Sequence, residues 1–400
     1  MRTLRAIAAV CAAAALIPIS AMAQKKYDPG ATDQEIKIGM TAPLSGPASA
    51  YGVACPFTQG FFRMINDQGG INGRKLKLLC EDDAFTPAKG VEQTRKLVES
   101  EQVLFIYNTL GTANNTAIQK YLAAKKVPHV LINSGASKWD DPKNNPWTTA
   151  SLPSNRAEAR IFADYIQANM PNAKIGLLYQ NDDYGKDYQT GLREGLGANA
   201  GRMLVAEQSY ELSDPTIDSQ IIALRSKGAD VVVLGALAKH ATQGIRKIGE
   251  LGWKPQIFLG WASSSIPTVL KVAGLDHSTG VITTAVLKDP ADTKWADDKI
   301  MKDYLAFMAK YYPQGEPNNI SNTFAYATSW LLMDILKRSG DNLTHENVIR
   351  EAQNIDMEPP MYLPGVRFRI TPTDFDPIKQ FQMVKFDGTR WQTLGAPIGR

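Results

Sequence analysis

The sequence predicts an α/β fold made of two lobes, each a doubly wound parallel sheet. Apolar strands alternate with helices of period 3.6 twice along the chain, and a segment beginning with Pro146 at residues 146–151 separates the two series. The strands are almost entirely apolar, as parallel strands covered by helices on both faces are. A chain of 400 residues exceeds one typical core and suffices for two ordinary domains.

Residues 1–23 have the pattern of a cleaved signal peptide. Arg2 and Arg5 precede an apolar stretch at residues 6–19, and Ala-Met-Ala at 21–23 has the small-x-small form of a cleavage site. The apolar stretch is shorter than the ~20 residues that span a bilayer, so it does not predict a membrane anchor. We therefore expect export to the periplasm, with no direct insertion into the membrane.

The remaining charge and cysteine content exclude several classes of function. Loss of two arginines with the signal lowers the formal net charge from +4 to +2, and no basic run is left to bind nucleic acid or an anionic membrane. Cys55 and Cys80 are then the two remaining cysteines. An even count in an oxidising compartment favours a disulfide between them over metal ligation or catalysis.

The first series predicts four strands separated by three helices. Val91, Leu97 and Val98 illustrate the helical period, since they fall on one face of the second helix. The predicted strands are at residues 36–40, 76–80, 103–107 and 129–132, and the predicted helices at 56–66, 87–99 and 113–125.

The second series follows the Pro-flanked segment and ends in three helices without strands of their own. Its predicted strands are at residues 174–179, 202–210, 230–234, 256–259 and 280–286, and its predicted helices at 155–169, 185–196, 217–227, 240–251 and 266–272. The later helices, predicted at 295–311, 322–339 and 345–353, need a sheet to cover, and we expect them on the first lobe. Short strands are predicted in the tail at 366–391.

The residues that could carry chemistry favour binding over catalysis. The sequence contains no nucleophile elbow, zinc-protease motif, phosphate-binding loop or dinucleotide fingerprint, and the four histidines lie in separate elements. The acidic runs at 81–83 and 181–183 could bind a hard cation. Each precedes a helix, where carboxylates cap free N–H groups, and we favour capping. The sequence therefore predicts neither metal nor cofactor.

The loops after the predicted strands are rich in glycine, hydroxyl and aromatic residues. The apolar strand that ends in the sequence VLINSGAS at residues 130–137 is the clearest case, because ligands of open α/β sheets lie beyond the carboxyl ends of the strands. Hydroxyls and the N–H groups at helix starts suit an anion, and Tyr51, Tyr184 and Trp261 could form apolar walls. A plain connecting loop is the alternative for 130–137.

These motifs together resemble the periplasmic solute-binding proteins of ABC importers, in the branched-chain amino-acid-binding family of the type I fold. The resemblance covers the exported chain and is carried by PLSGPASAYG at 43–52, NDQGGINGRKL at 66–76, EDDAFTP at 81–87, SGAS at 134–137 and NDDYGKD at 181–187. It implies three crossing segments between the lobes, near residues 148–151, 284–287 and 359–364. The implied first lobe comprises 27–149 with 286–360, and the second 150–285 with 361–400.

The resemblance also implies a set of ligand-binding residues between the lobes. The ligand carboxylate would be held by the first lobe, at positions matching Gly111, Thr112, Gly135, Ala136 and Ser137, and the pocket would be lined by the remaining positions, Tyr51, Leu110, Tyr184, Ala238 and Trp261. A permease of the inner membrane is the implied partner, and we expect a monomer.

Trp261 departs from the pattern of the family. Amino-acid-binding members have an acidic residue in this loop to pair the ligand ammonium, whereas this chain has Gly-Trp-Ala at 260–262. A buried ammonium without a charged partner is costly. We therefore expect a carboxylate with an apolar or aromatic body, unless Asp182 or Asp183 supplies the acid. A branched-chain amino-acid binder and a ligand-sensing domain are the alternatives, and an enzyme is not expected.

Overall fold

The computed structural model describes residues 25–399. The predicted signal peptide at 1–23 lies outside these residues. The first part of the chain forms strands and helices in strict alternation, with a short strand at each end. These elements are β1 (Lys26–Tyr27), β2 (Glu35–Ala42), α1 (Ala54–Asp67), β3 (Lys75–Asp82), α2 (Pro87–Arg95), β4 (Phe105–Tyr107), α3 (Thr112–Lys125), β5 (His129–Ile132) and β6 (Thr148–Ala150). A π-helical segment, Lys96–Ser100, continues α2.

The second part repeats the alternation. Its elements are α4 (Asn155–Asn169), β7 (Ile175–Gln180), α5 (Asp183–Leu196), α6 (Ala200–Met203), β8 (Leu204–Tyr210), α7 (Asp218–Ser226), β9 (Val231–Gly235), α8 (Ala238–Glu250), β10 (Gln256–Leu259), α9 (Lys271–Ala273), α10 (Leu275–Ser278) and β11 (Ile282–Ala285). The last part comprises α11 (Lys299–Tyr311), α12 (Ile320–Ser339), β12 (Asn342–Leu343), α13 (His345–Ala352), β13 (Ile355–Met357), β14 (Phe368–Ile370), β15 (Gln380–Phe386) and β16 (Trp391–Gly399).

Two separate sheets organise these elements into two lobes. The first has the order β3-β2-β4-β5-β6 and is parallel throughout. The second has the order β16-β15-β11-β10-β9-β7-β8, and its five strands from β8 to β11 are parallel. The predicted α/β fold of two doubly wound lobes is therefore confirmed. The tail adds an antiparallel pair, β15 and β16, to the edge of the second sheet.

The chain passes between the two sheets three times. It leaves the first sheet after β6, leaves the second after β11, and returns to the second before β15. The second and third passages run side by side, since the Lys288 N–H donates to the Met361 carbonyl at 2.7 Å and the Leu363 N–H to the Val286 carbonyl at 2.9 Å. The residues predicted only as an extended break form β6, because they pair with β5 at the edge of the first sheet.

Helix α12 is the clearest sign that the late helices cover the first lobe. It contacts α1 and α13, and its side chains Phe324, Leu331 and Leu336 are buried in the main core. Phe61 of α1 packs edge-on against Tyr326 and Trp330 of this helix, with ring centroids 5.8 and 5.3 Å apart. The amino terminus of α12 points to the cleft between the sheets, where Ile320 and Phe324 line a cavity.

Cys55 and Cys80 form a disulfide, as the sequence predicts. The bond joins the start of α1 to β3, with Cα atoms 6.3 Å apart and a sequence separation of 25. Among residues 25–399, no helix is long and apolar enough to cross a membrane.

Replacement of both cysteines by serine should lower the free energy of unfolding by roughly 3 kcal/mol, because the bond removes loop-closure entropy from the unfolded chain. Urea unfolding of the oxidised protein and of the double variant measures this difference. Addition of a reductant should destabilise the oxidised protein and leave the double variant unchanged, and an equal response of both would contradict the assignment.

Candidate functional site

A cavity lies in the cleft between the two sheets, at the carboxyl ends of their parallel strands. It encloses about 800 Å³ of empty space, part of it open to solvent. Loops after β4, β5, β7, β9 and β10 contribute to its wall, together with the start of α12. This is where an open α/β sheet binds its ligand. A second cavity of about 630 Å³ lies beside the crossing segments and has charged residues such as Lys288 and Asp289 in its wall.

Seven of the ten residues predicted to bind the ligand line the cleft cavity. They are Tyr51, Leu110, Gly111, Thr112, Gly135, Tyr184 and Trp261. Gly111 has φ +94, and a Cβ at this position would lie 2.5 Å from the ring of Phe85, so the turn into α3 requires glycine.

Ala136 and Ser137 lie outside the cavity wall, which differs from their expected place. The Ser137 N–H and hydroxyl both donate to the Asp187 carboxylate of the second lobe, at 2.6 and 2.7 Å. Ala136 is buried beneath this contact. The carboxylate that Ser137 meets is therefore a protein side chain. Ala238 was also expected in the cavity wall and lies outside it. Its N–H donates to the Tyr51 hydroxyl at 3.0 Å.

Other residues that were not predicted also line the cavity, and Ser134 and Asn155 matter most. Ser134 is the second residue after β5, and its place in the polar turn beyond a strand end could have identified it. Asn155 begins α4 in the second lobe, and its N–H donates to the Gly135 carbonyl at 2.8 Å. The remaining missed residues are Ala54, Phe85, Asn108, Asn133, Leu152, Gln180, Leu237, Ala262, Ile320, Ser321, Phe324 and Ala325.

A directed chain of hydrogen bonds leaves the Thr112 hydroxyl free to donate into the cavity. The Ser134 oxygen accepts from the Trp139 indole at 2.8 Å and from the Ala136 N–H at 3.5 Å. These contacts favour the arrangement in which the Ser134 hydroxyl donates to the Thr112 oxygen, 2.8 Å away. The Thr112 hydroxyl can then donate elsewhere.

Thr112 is also the first residue of α3, which adds backbone donors at the same place. The preceding residue, Gly111, provides no side-chain cap. The first N–H groups of a helix have no partner within the helix, and they lie at the positive end of its dipole. Asn155 Nδ2 is a further donor in the wall, and it is buried without a partner in the part of the chain that the structure describes. This end of the cavity is therefore suited to an anion.

Asn108 lies at the carboxyl end of β4 with a left-handed backbone, φ +52. Its side chain is buried in the cavity wall, and neither its Oδ1 nor its Nδ2 has a hydrogen-bond partner in the described chain. It is one more polar group, besides those at the start of α3, that a bound molecule could satisfy.

No charged side chain of residues 25–399 lines the cleft cavity. Asp182 caps α5, accepting from the Gly185 N–H at 3.2 Å, and also accepts from Gln180 at 2.8 Å. Asp183 pairs with Lys138 at the cleft mouth, 3.1 Å apart. Neither aspartate is thus placed to pair a ligand ammonium. Within the described chain, no group of three or more metal-ligating side chains could hold a metal ion.

The buried carboxylate of Glu158 holds the loop that carries Trp261. It accepts from the Trp261 N–H at 3.0 Å, from the Thr284 hydroxyl of β11 at 2.5 Å and from the Tyr188 hydroxyl of α5 at 2.6 Å. Burial raises the pKa of Glu158 to about 7, although these donors oppose the shift. The indole ring then packs edge-on against Phe324 of the first lobe, with centroids 5.7 Å apart.

Several contacts join the lobes across the cleft, among them three sets at the cavity and its mouth. The Tyr51 hydroxyl donates to the Ala262 carbonyl at 3.1 Å. Ser137 and Asp187, together with Lys138 and Asp183, form a second set, which we call the mouth latch. Burial raises the pKa of Asp187. The contact of the Trp261 ring with Phe324 is the third set. Because these contacts link the two lobes, the cleft is closed in this structure.

Glu158→Gln should change how stability depends on pH. The pKa of the Glu158 carboxyl is higher in the folded protein than in the unfolded chain. At pH values between these two pKa values, the native state therefore binds more protons than the unfolded state. The wild-type stability should therefore fall, relative to the variant, as pH rises from about 4.5 to 7, by on the order of 3 kcal/mol. Urea unfolding across this range measures it. If the free energies of unfolding of the wild type and the variant depended on pH in the same way, the pKa of Glu158 would not be raised by folding.

Asp187→Asn should weaken binding of every ligand by a similar factor, about three- to tenfold, because it loosens the mouth latch and leaves the cavity intact. Titration calorimetry with two ligands of different body measures this. Asp183→Asn, one turn earlier in α5, is the matched comparison within the latch, and it should change affinity little because its ion pair with Lys138 is exposed. A loss for one ligand only would place Asp187 in contact with that ligand.

Comparison with known proteins agrees with this architecture. The family model described as periplasmic binding protein matches residues 35–390. Leu/Ile/Val-binding protein homolog 3 of Brucella melitensis is 27% identical over 286 residues, covering 70% of this chain and 73% of the relative.

Two solved structures share the fold closely. One is a branched-chain amino acid ABC transporter protein from Thermus thermophilus with bound valine, with a TM-score of 0.80 and 16% identity over 92% of this chain and 97% of that one. The other is a fatty acid ABC transporter substrate-binding protein from Thermomonospora curvata, with a TM-score of 0.79 and 18% identity over 94% and 95% of the two chains. Since the family model covers most of the sequence, the chain belongs to the periplasmic binding protein family.

Proposed function

We propose that this periplasmic binding protein captures a small carboxylate with an apolar or aromatic body and delivers it to an ABC permease of the inner membrane. The observation that carries the proposal is the polarity of the cavity. One end offers the Thr112 hydroxyl and the first N–H groups of α3, and no acidic side chain of the described residues lines the wall. An anion is stabilised by such donors without a formal positive charge.

The same wall argues against an α-amino acid. An ammonium has three donors and no acceptor, and burying it without a carboxylate costs several kcal/mol. Glu158 is the acid behind Trp261, and its oxygens already accept hydrogen bonds from three protein groups. The names of the relatives nevertheless support a second candidate, a branched-chain amino-acid-binding protein.

The body of the ligand would lie against aromatic and aliphatic side chains. Trp261, Tyr184 and Phe324 contribute ring surface, and Leu110 and Leu152 contribute aliphatic surface. Flat rings suit an aromatic body through offset or edge-on contact. A ring-bearing carboxylate would therefore bury more of its surface here than a short aliphatic acid.

Closure of two lobes would select the ligand. The proposed first lobe comprises residues 27–149 and 286–360, and the second comprises 150–285 and 361–400. Carboxylate donors come mainly from the first lobe and Trp261 from the second, so both contact the ligand only in the closed form. The ligand then shifts the population towards closure. We propose that the protein works as a monomer, presents the closed form to the permease and catalyses no reaction.

A thermal-shift panel of branched-chain amino acids, benzoates, cinnamates and short fatty acids tests the proposal. Carboxylates without an amine should stabilise the protein, by about 2.7 kcal/mol at 100 times their dissociation constant. Stabilisation by leucine or valine alone would instead favour the second candidate.

Thr112→Val should weaken binding of such carboxylates by roughly 1 to 3 kcal/mol, through loss of a charge-assisted hydrogen bond. Thr58→Val is the matched control, since the buried Thr58 hydroxyl donates to a carbonyl within α1 and lies outside the cavity. Calorimetry of both variants measures the difference. Equal affinities of Thr112→Val and the wild type would remove Thr112 from the site.

A further inference from the structure

Two polar groups on the second-lobe wall of the cavity have no hydrogen-bond partner among residues 25–399. The Trp261 indole Nε1 and the Tyr184 hydroxyl are both buried and unpaired, in residues that are each 6% exposed. Both residues line the cavity. A buried donor that stays unpaired carries the full cost of its desolvation. The partner is therefore to be sought in the molecule that occupies the cavity.

The two groups belong to neighbouring parts of the wall. The Tyr184 hydroxyl lies 3.4 Å from the position that a Cβ on Gly260 would occupy, and Gly260 directly precedes Trp261. The Trp261 backbone is fixed by its hydrogen bond to Glu158, and Tyr184 by its place in the first turn of α5. Both donors are thus presented by well-supported elements.

This part of the wall is distinct from the end that suits the carboxylate. Thr112 and Ser134 belong to the first lobe, and Asn155 lies against Gly135 there, with its Oδ1 2.8 Å from the position of a Cβ on that glycine. Trp261 and Tyr184 belong to the second lobe. A ligand whose carboxylate lies at the start of α3 would therefore turn a different part of its body towards these two groups.

We propose that the ligand carries an oxygen that accepts hydrogen bonds from Trp261 and Tyr184, which makes it a hydroxy-, alkoxy- or oxo-substituted aromatic carboxylate. This inference rests on the proposed function and specifies its ligand class. An indole N–H is a donor only, and a tyrosine hydroxyl can donate. A hydrocarbon body would leave both groups unpaired, and an ammonium could not pair the indole N–H, because both are donors only.

The site should distinguish ligands with and without this oxygen more strongly than ligands of different size. A site built to hydrogen-bond a ligand group rejects the analogue that lacks the group, because its own buried polar atoms stay unpaired. An apolar pocket distinguishes one methylene only weakly. Isosteric pairs that exchange oxygen for carbon therefore isolate the effect.

Titration calorimetry of the exported chain with two such pairs tests the inference. The first pair is 4-methoxybenzoate and 4-ethylbenzoate, and the second is 4-hydroxybenzoate and 4-methylbenzoate, each repeated with the 3-substituted isomers. The oxygen-bearing member of a pair should bind about tenfold more tightly. The methoxy oxygen accepts hydrogen bonds but cannot donate them. A preference for 4-methoxybenzoate over 4-ethylbenzoate would therefore show that the ligand supplies the acceptor.

Trp261→Phe removes the indole N–H and retains an aromatic ring. It should abolish most of the preference for the oxygen-bearing member, while the smaller ring surface weakens both members of a pair alike. Trp330→Phe is the matched control, because the Trp330 indole N–H is also buried and unpaired but lies on α12 away from the cavity. That variant should keep the full preference.

The outcomes separate this inference from the proposed function. Equal binding of both members of every pair by the wild type would overturn the inference and leave the carboxylate function standing. This result is measured on the wild-type protein, so it does not depend on the folding of a variant. Binding of leucine or valine with no binding of any benzoate would overturn both. An unchanged preference in Trp261→Phe would also overturn the assignment to Trp261.

Discussion

The buried Glu158 carboxylate is the contact on which the second-lobe wall of the cavity depends. Its oxygens accept from Trp261, from Tyr188 and from Thr284. These partners belong to three different elements, and Thr284 stands just before the second passage of the chain between the sheets. One side chain of α4 therefore fixes the ring that faces the cavity and also the strand that leads to the crossing. Its raised pKa reflects the burial that this position requires.

Contacts between the lobes depend on the same geometry, since they involve the loops that the strand ends present. Tyr51 reaches over to the loops after β9 and β10, where it accepts from Ala238 and donates to Ala262. Ser137 reaches to Asp187 on α5. These groups would bond to water if the lobes were apart. Their net contribution to closure is therefore small, which allows a ligand to decide between the two forms.

Much of the fold could be predicted from the sequence, because apolar runs and helical periods are local signals. The alternation of elements and the return of α12 to the first lobe followed from such patterns. Ser137 shows the limit for the site, since its hydroxyl meets a carboxylate 50 residues away in the other lobe. Phe324 shows the same limit, because a helix from the last part of the chain supplies one wall of the cavity. Contacts between distant segments leave no local mark on the sequence.

The lack of charged side chains in the cavity wall, as residues 25–399 form it, affects how a bound anion would leave. In the closed cleft, the carboxylate would be solvated only by dipoles, from hydroxyls, amides and the start of α3. Water solvates a carboxylate at least as well as these groups do. When the lobes separate, water would therefore replace these groups around the carboxylate, and no ion pair between the ligand and the protein would have to break. Opening by the permease would then be sufficient for unloading, with no exchange of protons or counter-ions.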